Sequence, residues 1–385
     1  MTDRNAKRLL ELLRQPGNDE CADCGLKGPE WASYNLGVFL CTTCATGHRK
    51  IGSHISKVKS LKLGKWEDPE VEVLESGGNR LVAKKTERFV PACYRRPKPG
   101  DPHVLIEQWI RAKYERREFE TDTCKDYTRG EMRGHLMKKA KDENKYFPRY
   151  FILSEAENCL KYFPKEGAKE PKATIPLSEM NVCLAPAKMH QDNGLQISYI
   201  VEGSTRHVYL YHESGHVIIN WYMAIRSAKL NRFMVAYPSA SETELVPFLC
   251  TDFALEGYLS KTGPSEADGY RKRWFILDHR KLMYHTGQMD AYPKGEIFLG
   301  HKDDGYAVEL GAPKNCKDQG FTFHLVTPER TFVFSASCRE ERDAWMAALT
   351  AVLARPLRPQ DNLMAVSLVR KRAGKFSLDI FSLAQ

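Results

Sequence analysis

What this 385-residue sequence lacks narrows its possibilities first. No stretch approaches the roughly 18 uninterrupted apolar residues of a membrane-spanning helix, so any membrane contact is expected to be peripheral. The N-terminus, MTDRNAKRLLELL, has neither a continuous apolar segment nor a small-residue cleavage site. It does not read as a signal peptide, and the chain is expected to stay in the reducing cytosol. The cysteines number eleven, an odd count, and in that compartment clustered cysteines mean metal more often than disulfides. Acidic residues are in deficit, 49 against 58 lysines and arginines for a formal charge of +9. That balance points to phosphate-bearing partners, nucleic acid or an anionic bilayer, without choosing between them. A C2H2 finger pattern and an obvious reading helix are both missing, which counts against nucleic acid. What is present is 42% apolar residues over a length that suggests two to four domains, each with its own core.

Cys21-Ala22-Asp23-Cys24 and Cys41-Thr42-Thr43-Cys44 form C-x2-C, sixteen residues, C-x2-C. At this spacing two thiolate knuckles close a tetrahedron around one zinc ion. Four thiolates leave no open position for water or substrate, so the site is expected to be structural and to feed its binding free energy into folding. A complete four-cysteine set leaves His48 and His54 unneeded as ligands. The other seven cysteines show no paired spacing and read as core or surface thiols.

Residues 21–79, read as CADC, GPEWASYNLGVFLC, CTTC, HRKIG, SKVKSLKL, KW and GGN, closely resemble the Arf GTPase-activating domain. The chain as a whole, to about residue 355, resembles the Arf GAP with dual pleckstrin-homology (PH) domains, the centaurin-alpha type. The resemblance implies that Arg49 is an arginine finger, supplied in trans to the charge that develops on phosphoryl oxygens during GTP hydrolysis. Such a finger contributes roughly a thousand- to a hundred-thousand-fold in rate. It also implies that Trp31 stands beside the finger, either supporting Arg49 or contacting the GTPase. The sequence departs from the family at two places around the finger. Ala45-Thr46-Gly47 stands where Ser-Gly-Ile is usual, and Leu63-Gly64-Lys65-Trp66 where Leu-Asp-x-Trp is usual. Gly47 is expected to remove packing and add backbone freedom, and Gly64 to remove a carboxylate.

Downstream, an internal repeat has a period of about 122 to 124 residues. Gly134-x-Leu136-x-Lys138 recurs as Gly257-x-Leu259-x-Lys261, Arg149 to Leu153 as Arg273 to Leu277, and Trp221 as Trp345. In each copy short alternating strands precede a helix with apolar spacing around its tryptophan, at 216–230 and 341–354. The order resembles the PH fold, a seven-stranded antiparallel barrel-like sandwich with a C-terminal helix. Domains binding 3-phosphoinositides carry a first-strand lysine and second-strand arginines. The second copy matches with Lys261, Arg271, Arg273, Tyr284 and Lys294. The first matches with Lys138, Arg149, Tyr162 and Lys172, but Phe147 takes the place of one basic residue, with Lys139, Lys141 and Lys145 near enough to compensate. Tyr146 and Phe147 are candidates to dip into a bilayer. Several converging cations are required, since one exposed pair is worth only about 0 to 1 kcal/mol.

The expected architecture is therefore multidomain α+β. Residues 5–126 form a zinc-binding domain with a helical extension, 129–232 and 252–355 form two PH domains, and 356–385 form a basic tail. The function implied is GTPase activation on an Arf-family partner, with recruitment from the cytoplasm to the plasma membrane through 3-phosphorylated phosphoinositides and no role for nucleic acid. The rival is a phosphoinositide-dependent adaptor, weak or inactive as an activator, which the Gly47 and Gly64 departures favour and Arg49 opposes.

Overall fold

The computed structural model describes residues 3–263, 269–314, 316 and 318–357; beyond residue 357 the tail expected at 356–385 lies outside them. The N-terminal domain opens with helix α1 (Asp3–Leu13), whose Leu9 and Leu12 pack on Phe39, Trp66, Val71 and Leu74. Three short antiparallel strands follow in the order β2-β1-β3, where β1 is Trp31–Ser33, β2 Val38–Leu40 and β3 Val58–Ser60. Helix α2 (Thr42–Lys50) leaves β2 directly at a zinc knuckle, since the Cys41 Sγ caps it by accepting from the Cys44 N–H. Helices α3 (Asp68–Ser76) and α4 (Asn79–Thr86) close the domain. The Gly-Gly-Asn segment between them has a specific use. Gly78 takes a φ of +92°, which favours glycine, and Asn79 accepts from the Phe39 N–H at 2.8 Å while donating to Gly17 and Glu20 carbonyls.

Helix α5 (His103–Ile110) is apolar on nearly every face because it is covered on nearly every face. Its Trp109 meets Tyr94 and Phe119 at centroid distances of 5.5 and 5.3 Å, and Tyr94 also meets Tyr127 at 5.8 Å. This aromatic hub carries one contiguous apolar core from the zinc knuckles into the next domain.

That domain is a seven-stranded antiparallel sheet in the order β7-β6-β5-β4-β10-β9-β8. Its strands are β4 (Glu131–Lys139), β5 (Tyr146–Ser154), β6 (Cys159–Phe163), β7 (Ala173–Pro176), β8 (Asn181–Leu184), β9 (Gly194–Val201) and β10 (Ser204–Tyr211), with a short α6 (Pro186–Met189). Helix α7 (Gly215–Ala236) closes it, and α8 (Glu242–Leu245) leads on. The second copy repeats the order as β14-β13-β12-β11-β17-β16-β15. Its elements are β11 (Leu255–Lys261), β12 (Arg271–Leu277), β13 (Lys281–His285), β14 (Gly295–Phe298), β15 (Ala307–Leu310), β16 (Phe321–Val326), β17 (Thr331–Ala336) and α9 (Arg339–Leu353). The mixed α+β architecture and both PH-type sheets are as the sequence implies.

The repeated Gly-x-Leu-x-Lys now has a physical meaning, because alternate residues of a strand share a face. A Cβ on Gly134 would meet the Trp221 ring at 3.7 Å, and one on Gly257 would meet Trp345 at 3.5 Å. The glycine seats the tryptophan of the closing helix, the leucine enters the core, and the lysine stands at the strand end, Lys261 buried and Lys138 half-buried.

The second PH domain has its own core and joins the first through polar contacts. His207 donates its N–H to the Ala291 carbonyl at 2.8 Å, Glu296 accepts from the Thr205 N–H at 2.9 Å, and Lys281, itself paired with Glu296 at 3.0 Å, donates to the Thr205 hydroxyl. The His207 and His285 rings meet at 5.1 Å, tilted by 50°. Arg95 fastens all three domains, reaching Asp101, Tyr222 and Asp252.

Candidate functional site: a zinc-held arginine and two cationic pockets

Cys21, Cys24, Cys41 and Cys44 are buried, and their sulfurs all lie within 4.8 Å of one another. The Cys24 and Cys41 sulfurs are 3.6 Å apart, close to the roughly 3.8 Å between ligands of a tetrahedral zinc with bonds of about 2.3 Å. The donor set and its spacing fit zinc. No helix among the described residues is long and apolar enough to cross a membrane.

Behind the knuckles runs a buried polar chain that sequence reasoning missed. His48 is fully buried; its Nδ1 lies 2.8 Å from Ser56 Oγ and its Nε2 2.9 Å from Asp23 Oδ2. Asp23, between the first two cysteines, also pairs with Lys113 Nζ at 3.0 Å, and Lys113 pairs with Glu87 at 2.8 Å. Burial works to raise the Asp23 carboxyl, but the Lys113 charge and the His48 hydrogen bond outweigh it and hold the group below the usual carboxylate range. The one available signal was Lys113 itself, a charge set among Trp109, Ile110, Ala112 and Tyr114.

Arg49 follows His48 in the last turn of α2 and is exposed. Its guanidinium carbon lies 4.3 Å from the centre of the Trp31 ring, and Trp31 Nε1 donates to Thr42 Oγ1 at 3.3 Å. Among the described residues no carboxylate pairs with Arg49. Stacking of this kind contributes roughly 0.5–1 kcal/mol at an exposed site, enough to bias the side chain without removing it from solvent.

The two departures look different in three dimensions. Gly47 faces α5, and a Cβ there would meet Ile110 Cδ1 at 2.6 Å. The packing that glycine gives up is supplied by Ile110 from the other helix, so the expected loss of packing does not arise. A Cβ on Gly64 would lie 2.5 Å from the Ser60 carbonyl and 2.6 Å from the Lys59 side chain. Lys59 occupies that space, held by the Lys65 carbonyl and by Glu70.

The two PH pockets are built in the same register. Lys138 faces Phe147 across β4 and β5, just as Lys261 faces Arg271 across β11 and β12. Lys138 Nζ lies 5.2 Å from the Tyr162 ring and Lys261 Nζ 4.9 Å from the Tyr284 ring. Lys172 and Lys294 have exposed side chains, and each donates its backbone N–H to the carbonyl of that tyrosine, at 2.8 and 2.7 Å. Arg149 and Arg273 lie on the same sheet face as these tyrosines, with Arg271 exposed at the strand start. Burial first, and then Arg206 and Arg149, push the Lys138 amine down to about 8. Arg206, on β10, is a member of the first cluster that no local sequence motif marks. Tyr146 does not face a bilayer as expected: it packs against Tyr211 at 4.9 Å and touches Met289 of the second PH domain. Phe147 remains 41% exposed.

Comparison with known proteins comes down on the same side. Residues 6–123 match the ArfGap family model, described as "Putative GTPase activating protein for Arf", and residues 130–230 and 253–354 match the PH domain model. The chain is 43% identical over 369 residues to the human "Arf-GAP with dual PH domain-containing protein 2", covering 94% of this chain and 97% of that protein. Its rat counterpart is 42% identical over 363 residues, covering 93% and 96%. The Arabidopsis thaliana "ADP-ribosylation factor GTPase-activating protein AGD12" is 46% identical over 114 residues, 29% of this chain and 34% of that protein.

Proposed function

This chain belongs to the family of Arf GTPase-activating proteins with dual PH domains, and from that premise we propose that it stimulates GTP hydrolysis by an Arf-family GTPase on phosphoinositide-bearing membrane, with Arg49 as its arginine finger. The observation that carries this is the state of Arg49: exposed, unpaired with any carboxylate among the described residues, and resting on Trp31 at the end of a helix that starts at a zinc ligand. The GTPase contributes nucleotide, magnesium and attacking water. The chain contributes a planar cation that keeps its charge and grips two phosphoryl oxygens. One structural zinc ion on Cys21, Cys24, Cys41 and Cys44 holds the start of α2, and the His48 hydrogen bonds hold its end.

Recruitment rests on Lys138, Arg149, Tyr162 and Lys172 in the first PH domain and on Lys261, Arg271, Arg273, Tyr284 and Lys294 in the second. Converging cations of this number suit a 3-phosphorylated inositol headgroup of the inner plasma membrane leaflet. The adaptor reading is weakened by Ile110, which fills the space beside Gly47.

The test is single-turnover GTP hydrolysis by myristoylated Arf proteins on vesicles with and without 3-phosphoinositides. Zinc-loaded wild type should accelerate hydrolysis in a lipid-dependent way, and Arg49→Lys should lose about a thousandfold of that acceleration. Absence of acceleration with every Arf would leave the adaptor reading in its place.

A further inference from the structure

Tyr292 belongs to the second PH domain, yet it stands at the mouth of the first domain's pocket. It lies in the connection between β13 and β14, and the residue before it is pinned, since the Ala291 carbonyl accepts from the His207 N–H at 2.8 Å. That bond sets Tyr292 beside Arg206, the chain neighbour of His207. The ring centre is 5.7 Å from the Arg206 guanidinium carbon and 5.3 Å from Lys141 Nζ. One ring thus spans two cations on separate parts of the first domain, strand β10 and the β4–β5 connection. The connection does not depend on Tyr292 for its position, because Glu296 accepts from both the N–H and the hydroxyl of Thr205, at 2.9 and 2.8 Å, and Tyr209 donates to the Gln288 carbonyl at 3.3 Å.

Behind the ring, the polar groups are incompletely satisfied. Among the described residues Arg206 Nε is buried without a hydrogen-bond partner while Arg206 Nη2 donates to the Tyr162 hydroxyl at 3.5 Å, and the hydroxyl of Tyr199, a residue only 3% exposed, has no partner but the Arg206 guanidinium beside it. Tyr199 lies opposite Arg206 in the β9–β10 ladder, on the face that Arg206 shares with Lys138. A buried donor left unpaired costs about 1–3 kcal/mol. Among the described residues Lys138, Arg149 and Arg206 also lack carboxylate partners. What such a cluster is missing is an anion rich in acceptor oxygens.

We infer that the first PH domain's pocket is a two-domain site, in which Tyr292 of the second PH domain forms the outer wall and holds Arg206 and Lys141 toward a polyphosphorylated inositol. Full affinity at the first pocket then requires the second domain to be docked. This deepens the phosphoinositide reading of the first PH domain and rests on it.

The test uses the full chain with Lys261→Ala and Arg273→Ala, so that the second pocket is silenced. Soluble inositol tetrakisphosphate is titrated by calorimetry in one arm, and vesicles bearing the same headgroup as a lipid are co-sedimented in the other. Adding Tyr292→Ala should weaken binding five- to twentyfold in both arms with an unchanged melting temperature, while Tyr292→Phe should retain most of it. Unchanged or tighter binding by Tyr292→Ala would overturn the two-domain site and leave the lipid reading standing. A loss confined to vesicles would mean that Tyr292 touches bilayer rather than headgroup, and would also overturn it. No binding by the folded, Tyr292-containing parent would sink the lipid reading of the first pocket, and this inference with it.

Discussion

His48 Nε2 lies 2.9 Å from Asp23 Oδ2 with both side chains wholly buried, so the residue before Arg49 is bonded to the residue between two zinc ligands. The bond ties the end of α2 to the knuckle that faces its start, and Lys113 neutralises the carboxylate from the far side. Removing one partner of a buried ion pair strands the other's charge, at about 3–5 kcal/mol. Lys113→Met should therefore lower the stability of the zinc domain by about that much in urea unfolding. Lys50→Met, which breaks the exposed Lys50–Glu107 pair, should change it by about 0–1 kcal/mol.

The contact between Gly47 and Ile110 makes the family's usual side chain harmful in this chain. Gly47→Ile forces Ile110 from its place, and overpacking of this kind costs about 1–3 kcal/mol. Adding Ile110→Ala should recover most of the loss, a coupling that a double-mutant cycle on thermal unfolding reads directly. Additive effects would mean the two residues do not share the space.

Lys138 gives headgroup binding a pH dependence with a definite sign. Burial, Arg206, Arg149 and Lys139 lower its amine to about 8 in the free protein, while a bound phosphate demands the charged form. Below pH 8 the proton is already present; above it, binding must take one up. Affinity of the first pocket, measured with the second silenced, should fall by about fivefold between pH 8 and 9 and approach tenfold per pH unit above that. Lys138→Arg should flatten that slope, because a guanidinium keeps its charge there.

Metal removal should expose how the domains are grouped. Structural zinc contributes on the order of 10 kcal/mol to folding, and the apolar core runs without interruption from the knuckles into the first PH domain. Chelation should lower a melting transition shared by these two domains and leave the second PH domain, with its separate core, nearly unmoved. A chelated protein in which the first PH domain melts at its original temperature would show that the shared core transmits little.

The parts of this molecule written in local spacing were legible in its sequence. The cysteine knuckles, the tryptophans of the closing helices and the strand that carries Arg149 each follow from neighbours within a few residues. The Gly-x-Leu-x-Lys repeat was visible too, though its glycine made sense only once Trp221 and Trp345 lay across it. Long-range pairing was hidden. Nothing near Gly47 announces Ile110, nothing near His48 announces Lys113, and Arg206 became part of a pocket only when β10 folded back beside β4. Tyr146 misled because an aromatic at a loop edge suits a bilayer and a protein interface equally well, and here Tyr211 and Met289 claim it.

The hub of Tyr94, Trp109, Phe119 and Tyr127 leaves no slack tether between the zinc domain and the first PH domain. A tethered finger would sweep a volume and meet its target at any angle. Here the angle between Arg49 and the first pocket is set when the chain folds, so on the proposed reading height and tilt above the membrane would become part of target choice. If Arg49 is the finger proposed above, a GTPase whose nucleotide sits at another height would be refused by geometry alone, whatever its surface chemistry.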